Sequence, residues 1–180
     1  MPSYHLWLKP SGEAYERLAS AIRELADKLK APIFEPHVTL LSPLSGTEEE
    51  HRRRTKQLAQ RLRPFPIILI EPAYRDEYFQ CVFMKAVDTP QLMEARTQAR
   101  HLFSHAGRDV YMPHVSLLYG LYPTELKQEL IGALPPDLRM TFGATAVHLV
   151  RSDSDDPKDW HEISAIAMEA RPATGTGNDR

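Results

Sequence analysis

The chain has 180 residues, of which 42% are apolar and 26% charged, and its formal net charge is −2. That length suits one domain with a sizeable core, or two small lobes sharing one, and the composition is that of an ordinary soluble globular protein. The slightly acidic balance argues against a long nucleic-acid duplex as partner, which needs clustered Lys and Arg, yet leaves room for a small nucleotide.

The first predicted element is a strand over Tyr4–Lys9, ended by Pro10, Ser11 and Gly12. A helix is expected over Glu13–Lys30, where Tyr15, Leu18, Ile22, Leu25 and Leu29 recur at helical spacing. After Pro32 comes a short strand, Pro36-His37-Val38-Thr39-Leu40-Leu41. Thr47-Glu48-Glu49-Glu50 then reads as a helix start, with Thr47 as cap and the glutamates at the positive end of the dipole. This helix is expected to reach Leu62, and its basic residues from Arg52 to Arg63 read as a solvated face rather than a nucleic-acid surface.

Pro66–Tyr74 is a strongly apolar strand, and Tyr78–Val87 a second, with clear alternation from Cys81 onward. The lone Cys81 excludes an intramolecular disulfide, fits a reducing compartment and reads as a buried, inert thiol beside Val82 and Phe83. Asp88-Thr89-Pro90 opens a helix to about His105, closed by Gly107. Tyr111–Tyr119 forms a further strand holding Pro113-His114-Val115-Ser116-Leu117-Leu118. A helix from Pro123 to about Leu134 follows. Thr141–Arg151 and Glu162–Ala170 read as two closing strands around an acidic loop, and 171–180 as a disordered tail. No secretory signal and no run of the ~18 apolar residues of a membrane span is visible, so a cytoplasmic protein is expected.

The histidine strands are an internal echo. Each carries a histidine and a hydroxyl at i and i+2, which alternation puts on one face, with aliphatic residues on the other. The repeat is larger than the motif: strand, helix, histidine strand, helix, strand runs from Tyr4 to Tyr74 and again from Tyr78 to Arg151. Two units predict a pseudo-two-fold α+β architecture of two antiparallel sheets with flanking helices. The histidine strands are then expected to face each other across a central cleft. Two imidazoles suit a reaction that removes a proton at one point and delivers one at another. Hydroxyls beside them suit an anion such as a phosphate diester, whose attacking and leaving oxygens lie roughly in line.

His37-Val38-Thr39-Leu40 and His114-Val115-Ser116-Leu117 resemble the paired signatures of the 2H phosphoesterase superfamily. Phe34-Glu35-Pro36-His37-Val38-Thr39, Tyr78-Phe79-Gln80-Cys81-Val82 and His114-Val115-Ser116-Leu117-Leu118-Tyr119-Gly120 are similar to its cyclic phosphodiesterase branch, known from yeast and plants. The resemblance implies a single bilobal phosphodiesterase domain over 1–170, with lobes exchanging strands near 75–78. It implies metal-independent hydrolysis of ADP-ribose 1″,2″-cyclic phosphate or nucleoside 2′,3′-cyclic phosphates, the latter opened to 2′-phosphates. His37 and His114 would be the acid/base pair. Thr39 and Ser116 would hold the phosphate oxygens and Tyr119 would contact substrate, although strict alternation from His114 puts Tyr119 on the opposite face. No cofactor, metal, long nucleic acid or membrane is expected, only a small cyclic-phosphate nucleotide bound to a monomer. The alternatives are an RNA-end or 2′-5′ oligonucleotide phosphodiesterase of the same superfamily and a non-catalytic nucleotide-binding module.

Other candidates carry less. His101 and His105 would share a helical face but lack a third ligand. Asp153, Asp155, Asp156 and Asp159 lack the glycine and glutamate of a calcium loop and read as an exposed hairpin. Trp7 and Trp160 suit either a core strand or stacking on a base. His5, His51, His148 and His161 have no partner motif.

Overall fold

The computed structural model describes residues 2–106 and 110–169; the expected helix stop Gly107 and the tail 171–180 lie outside the described residues. The chain order is β1 (Ser3–Leu8), α1 (Gly12–Leu29), β2 (Val38–Leu41), α2 (Glu48–Arg61), β3 (Phe65–Tyr74), β4 (Val82–Ala86), α3 (Pro90–Leu102), β5 (His114–Leu118), α4 (Thr124–Ala133), β6 (Thr141–Ala144), β7 (Ala146–Ser152) and β8 (Trp160–Ala167). Helix ends follow their local chemistry. Thr47 and Glu50 form a reciprocal capping box on α2, and the Thr89 hydroxyl accepts from the Leu92 amide on α3. Lys30 ends α1 in the left-handed region, at φ 55°.

The fold is α+β, as the sequence implies, but the strands do not separate into two sheets. They join in one antiparallel order, β6-β3-β4-β5-β2-β1-β7-β8. The histidine strands β2 and β5 are therefore neighbours in the centre, not walls facing each other across a cleft. Their registered pair is Val38 with Val115, where two four-stranded halves meet. Pairing at the seam removes two exposed sheet edges. Strand β3 pairs with β4 and β7 with β1, so each sequence unit lends a strand to the other half.

Two elements differ from expectation. Thr141–Arg151 divides into β6 and β7 with only Thr145 between them, yet β6 pairs with β3 and β7 with β1 and β8. A one-residue link between strands near opposite ends of the order requires the sheet to curl strongly. Tyr78–Gln80 is a turn of 3-10 helix rather than the start of β4. The Gly120 amide donates to the Tyr78 carbonyl across 2.9 Å, which ties this turn to the chain leaving β5.

Alternation sets what each face does. Leu6 and Leu8, Val38 and Leu40, and Val115 and Leu117 enter the core with Leu18 and Ile22 of α1 and Leu92 and Ala95 of α3. Each fully buried aliphatic of this kind contributes about 1.5–3 kcal/mol. The polar residues of the same strands are left on the opposite face, away from the helices.

Behind the seam, side chains satisfy backbone groups of β2. The buried Arg96 donates to the Leu40 carbonyl at 2.8 Å and lies 4.0 Å over the Tyr111 ring. The Tyr111 hydroxyl donates to the Thr39 carbonyl at 3.0 Å. Tyr111→Phe removes this hydrogen bond and should lower unfolding free energy by about 0.5–1.5 kcal/mol. Urea denaturation of the two proteins checks this; unchanged stability would mean that water satisfies the carbonyl instead.

Candidate active site

The antiparallel register through Val38 and Val115 sets His37 across from Ser116 and Thr39 across from His114. The four polar residues thus form a quartet on one face of the sheet, related by the same local two-fold as the strands. They line a common cavity of about 320 Å³. That volume is at the small end of the range for ligand pockets.

The imidazoles are held alike. His37 Nδ1 lies 2.7 Å from the Glu35 carbonyl, and His114 Nδ1 lies 2.8 Å from the Met112 carbonyl. A carbonyl only accepts, so each ring carries its proton on Nδ1 when neutral and keeps the Nε2 lone pair for the cavity. Trp7 stacks on His37, with centroids 3.6 Å apart and planes 9° from parallel. The Glu35 side chain is paired with Lys9, which also binds Glu162 at 2.7 Å, and Glu162 accepts from His148 at 2.9 Å. This charged chain anchors the segment whose carbonyl orients His37.

Burial pushes the His37 pKa down to about 3, opposed by the Glu35 hydrogen bond and reinforced by nearby His114, His5 and Lys9. His114 is also shifted down, again chiefly by burial, with the Met112 carbonyl opposing. Both rings are therefore neutral near pH 7 in the free protein.

Thr39 is half-buried, while Ser116 is buried and donates to the Phe79 carbonyl at 2.8 Å. Tyr119 reaches the cavity although strict alternation would turn it away. Strand β5 ends at Leu118, and Gly120 turns the chain at φ 145°, where a Cβ would fall 2.4 Å from the Tyr122 ring. The Tyr119 ring stacks on Phe34 at 3.7 Å and meets Phe79 edge-on, and its hydroxyl interacts with Ser116. Trp160 stands edge-on to Trp7 at 5.7 Å. Both tryptophans border the cavity, Trp7 with one face covered by His37.

Sequence reasoning passed over His5, which lines the same cavity with Ser42, Gln80, Ser152, Ser154 and Asp155. The available signal was alternation, because His5 and Trp7 share a face of β1 opposite Leu6 and Leu8. The remaining candidates take structural places. Helix α3 ends at Leu102, so His101 and His105 do not share a helical face. Asp153 pairs with Arg151, and Asp156 accepts from the Lys158 amide in the loop. Cys81 is buried, and burial raises its thiol pKa. Among the described residues no group of three or more His, Cys, Asp or Glu side chains is placed to hold a metal, and no helix is long and apolar enough to cross a membrane.

A curled antiparallel sheet that offers an imidazole and a hydroxyl from each central strand defines the two-histidine class of phosphoesterase. The chain belongs to the 2′-5′ RNA ligase superfamily, the 2H phosphoesterases, whose family model matches residues 7–156, and it is an enzyme of that phosphodiesterase class. It is 28% identical over 171 residues to the cyclic phosphodiesterase of Arabidopsis thaliana, covering 92% of this chain and 94% of that one. The fold is that of Escherichia coli LigT in complex with 3′-AMP, with a TM-score of 0.67 and 16% identity over 94% of this chain and all of the other. It is also that of TT0787 of Thermus thermophilus, with a TM-score of 0.63 and 20% identity over 94% of this chain and 100% of the other.

The His37 shift has a consequence for stability. Below pH 6.5 the unfolded imidazole binds a proton that the folded one refuses, so the stability present above 6.5 is lost as pH falls toward 3. At pH 5 one such histidine removes about 2 kcal/mol. His37→Phe should therefore lose about 2 kcal/mol less than wild type between pH 7.5 and pH 5, measured by denaturant unfolding. Equal losses in the two proteins would show that His37 titrates normally.

Proposed function

We propose that the cavity hydrolyses small cyclic phosphodiesters, opening nucleoside 2′,3′-cyclic phosphates to 2′-phosphates, with His37 and His114 as the acid/base pair. The observation that carries this reading is the matched pair of imidazoles, each fixed as the Nδ1–H tautomer by a carbonyl two residues upstream. One neutral Nε2 takes a proton from water as the water oxygen bonds to phosphorus. The ester bond on the far side breaks, and the leaving sugar oxygen takes a proton from the other imidazole in its cationic form. Thr39 and Ser116 donate to the non-bridging oxygens, the Ser116 proton turning from the Phe79 carbonyl to the phosphate. Tyr119 packs against the sugar or base.

The Arabidopsis relative's description as a cyclic phosphodiesterase supports this substrate class, and 3′-AMP in the like-folded LigT is in keeping with a nucleotide-sized ligand. ADP-ribose 1″,2″-cyclic phosphate presents the same reacting ring and belongs to the same proposal. The two imidazoles supply both proton transfers, so the reaction as written calls on no metal. A cytoplasmic setting fits the single buried cysteine.

Both rings titrate below 6.5 in the free protein, so the window with one protonated and one neutral lies on the acid side. The kcat/KM profile for 2′,3′-cyclic AMP should therefore be bell-shaped with its maximum below pH 6.5. The bound anion favours imidazolium, so the kcat profile should lie at higher pH. His37→Ala and His114→Ala should each lower kcat by ~10²–10⁴-fold. Near-normal turnover by either variant, or a kcat/KM maximum above pH 7.5, would contradict the paired-histidine mechanism.

A further inference from the structure

His5 is a third imidazole in the cavity, and the acid/base pair has no use for it. It lies two residues before Trp7 on the same face of β1, so it extends the row of cavity residues away from the catalytic quartet. Its Nδ1 is 2.7 Å from Ser42 Oγ, just after β2, and its Nε2 is 2.7 Å from Ser152 Oγ at the end of β7. Burial lowers its pKa to about 4, so at neutral pH the ring is uncharged and moves no proton of its own accord.

A neutral imidazole has one N–H and one lone pair. One serine therefore accepts from the ring and keeps its own O–H to donate, while the other donates to the ring and keeps its lone pairs to accept. Exchanging the tautomer exchanges those offers. The trio is an uncharged pair of hydroxyls, one a donor and one an acceptor, whose roles are set together. The trio joins β1 to the ends of β2 and β7, and it does so at the cavity wall. Here His5, Ser42 and Ser152 all line the cavity, next to Ser154, Asp155 and the ring of Trp160.

We propose that His5, Ser42 and Ser152 form a neutral hydrogen-bonding subsite that holds the nucleoside half of the substrate while the histidine pair acts on the cyclic phosphate. This rests on the reading given under Proposed function. The chemistry recognised is a polar, uncharged edge carrying both donors and acceptors, such as a nucleobase, lying against the face of Trp160. Because the two hydroxyls exchange roles with the tautomer, the subsite accepts edges of either donor–acceptor order and discriminates weakly between bases.

The test compares two substrates with the same reacting ring: 2′,3′-cyclic AMP, and glycerol 1,2-cyclic phosphate, which has no nucleoside. His5→Phe keeps a flat aromatic ring at the position and removes both hydrogen bonds. It should lower kcat/KM for 2′,3′-cyclic AMP about tenfold, chiefly through KM, and at least about fivefold more than for glycerol cyclic phosphate. The pH dependence of kcat should keep both limbs. If His5→Phe fails to fold, as judged by circular dichroism, Ser152→Ala takes its place with the same expectation. Equal losses on both substrates, no loss on either, or a lost limb of the pH profile would each overturn the subsite. If wild type hydrolyses neither substrate, the cyclic phosphodiesterase reading fails instead. Calorimetry with adenosine 2′-monophosphate and with inorganic phosphate then decides the subsite alone. Weaker binding of the nucleotide but not of phosphate by His5→Phe supports it, and equal binding by both proteins overturns it.

Discussion

The pairing of Val38 with Val115 is the contact on which the rest of the structure depends. It joins two four-stranded halves into one sheet, and its register turns two separate histidine–hydroxyl motifs into one quartet. A slip of one residue would send every polar side chain of that strand into the core and its aliphatics into the cavity. Beside this short pairing, the Thr39 carbonyl accepts from Tyr111 and the Leu40 carbonyl from Arg96. Packing behind the sheet therefore fixes the geometry in front of it.

The same enclosure governs the electrostatics. Two imidazoles enclosed in one cavity resist protonation, and each is oriented by a carbonyl that holds its Nδ1 and leaves its Nε2 free of that bond. An anionic ligand between them reverses that bias, since it favours imidazolium. In the proposed reaction the neutral site of the free protein would take up a proton together with a monoanionic diester. Trp7 stacks on His37 and Lys9 pairs with Glu35, whereas His114 meets Phe83 at a tilt and Arg75 bonds the Met112 sulfur, so the local two-fold is broken in the supports around the two rings.

Much of this was legible in the chain. Helical and strand periods located the elements to within a few residues, and the doubled His-x-Thr/Ser pattern located the quartet, because each rests on local spacing. What local spacing does not contain is which strands become neighbours. Alternation marks His37 and His114 as pointing away from the core but is silent on whether their strands adjoin or oppose. The division at Thr145 is hidden for the same reason: Thr141–Arg151 alternates acceptably, and only long-range pairing sends its ends to different partners. His5 went unassigned because nothing near it in sequence brings Ser42 and Ser152 to its two nitrogens. Tyr119 marks a different limit. Alternation holds only while the strand lasts, and β5 ends at Leu118 before the turn at Gly120 re-aims the ring.

The most direct test of the account is hydrolysis of 2′,3′-cyclic AMP in ¹⁸O-enriched water, followed by ³¹P NMR of the product. Water attack at phosphorus with departure of the 3′ oxygen predicts adenosine 2′-monophosphate carrying one solvent-derived oxygen on phosphorus. A 3′-monophosphate, a product without the label, or no turnover by the wild-type protein would contradict it.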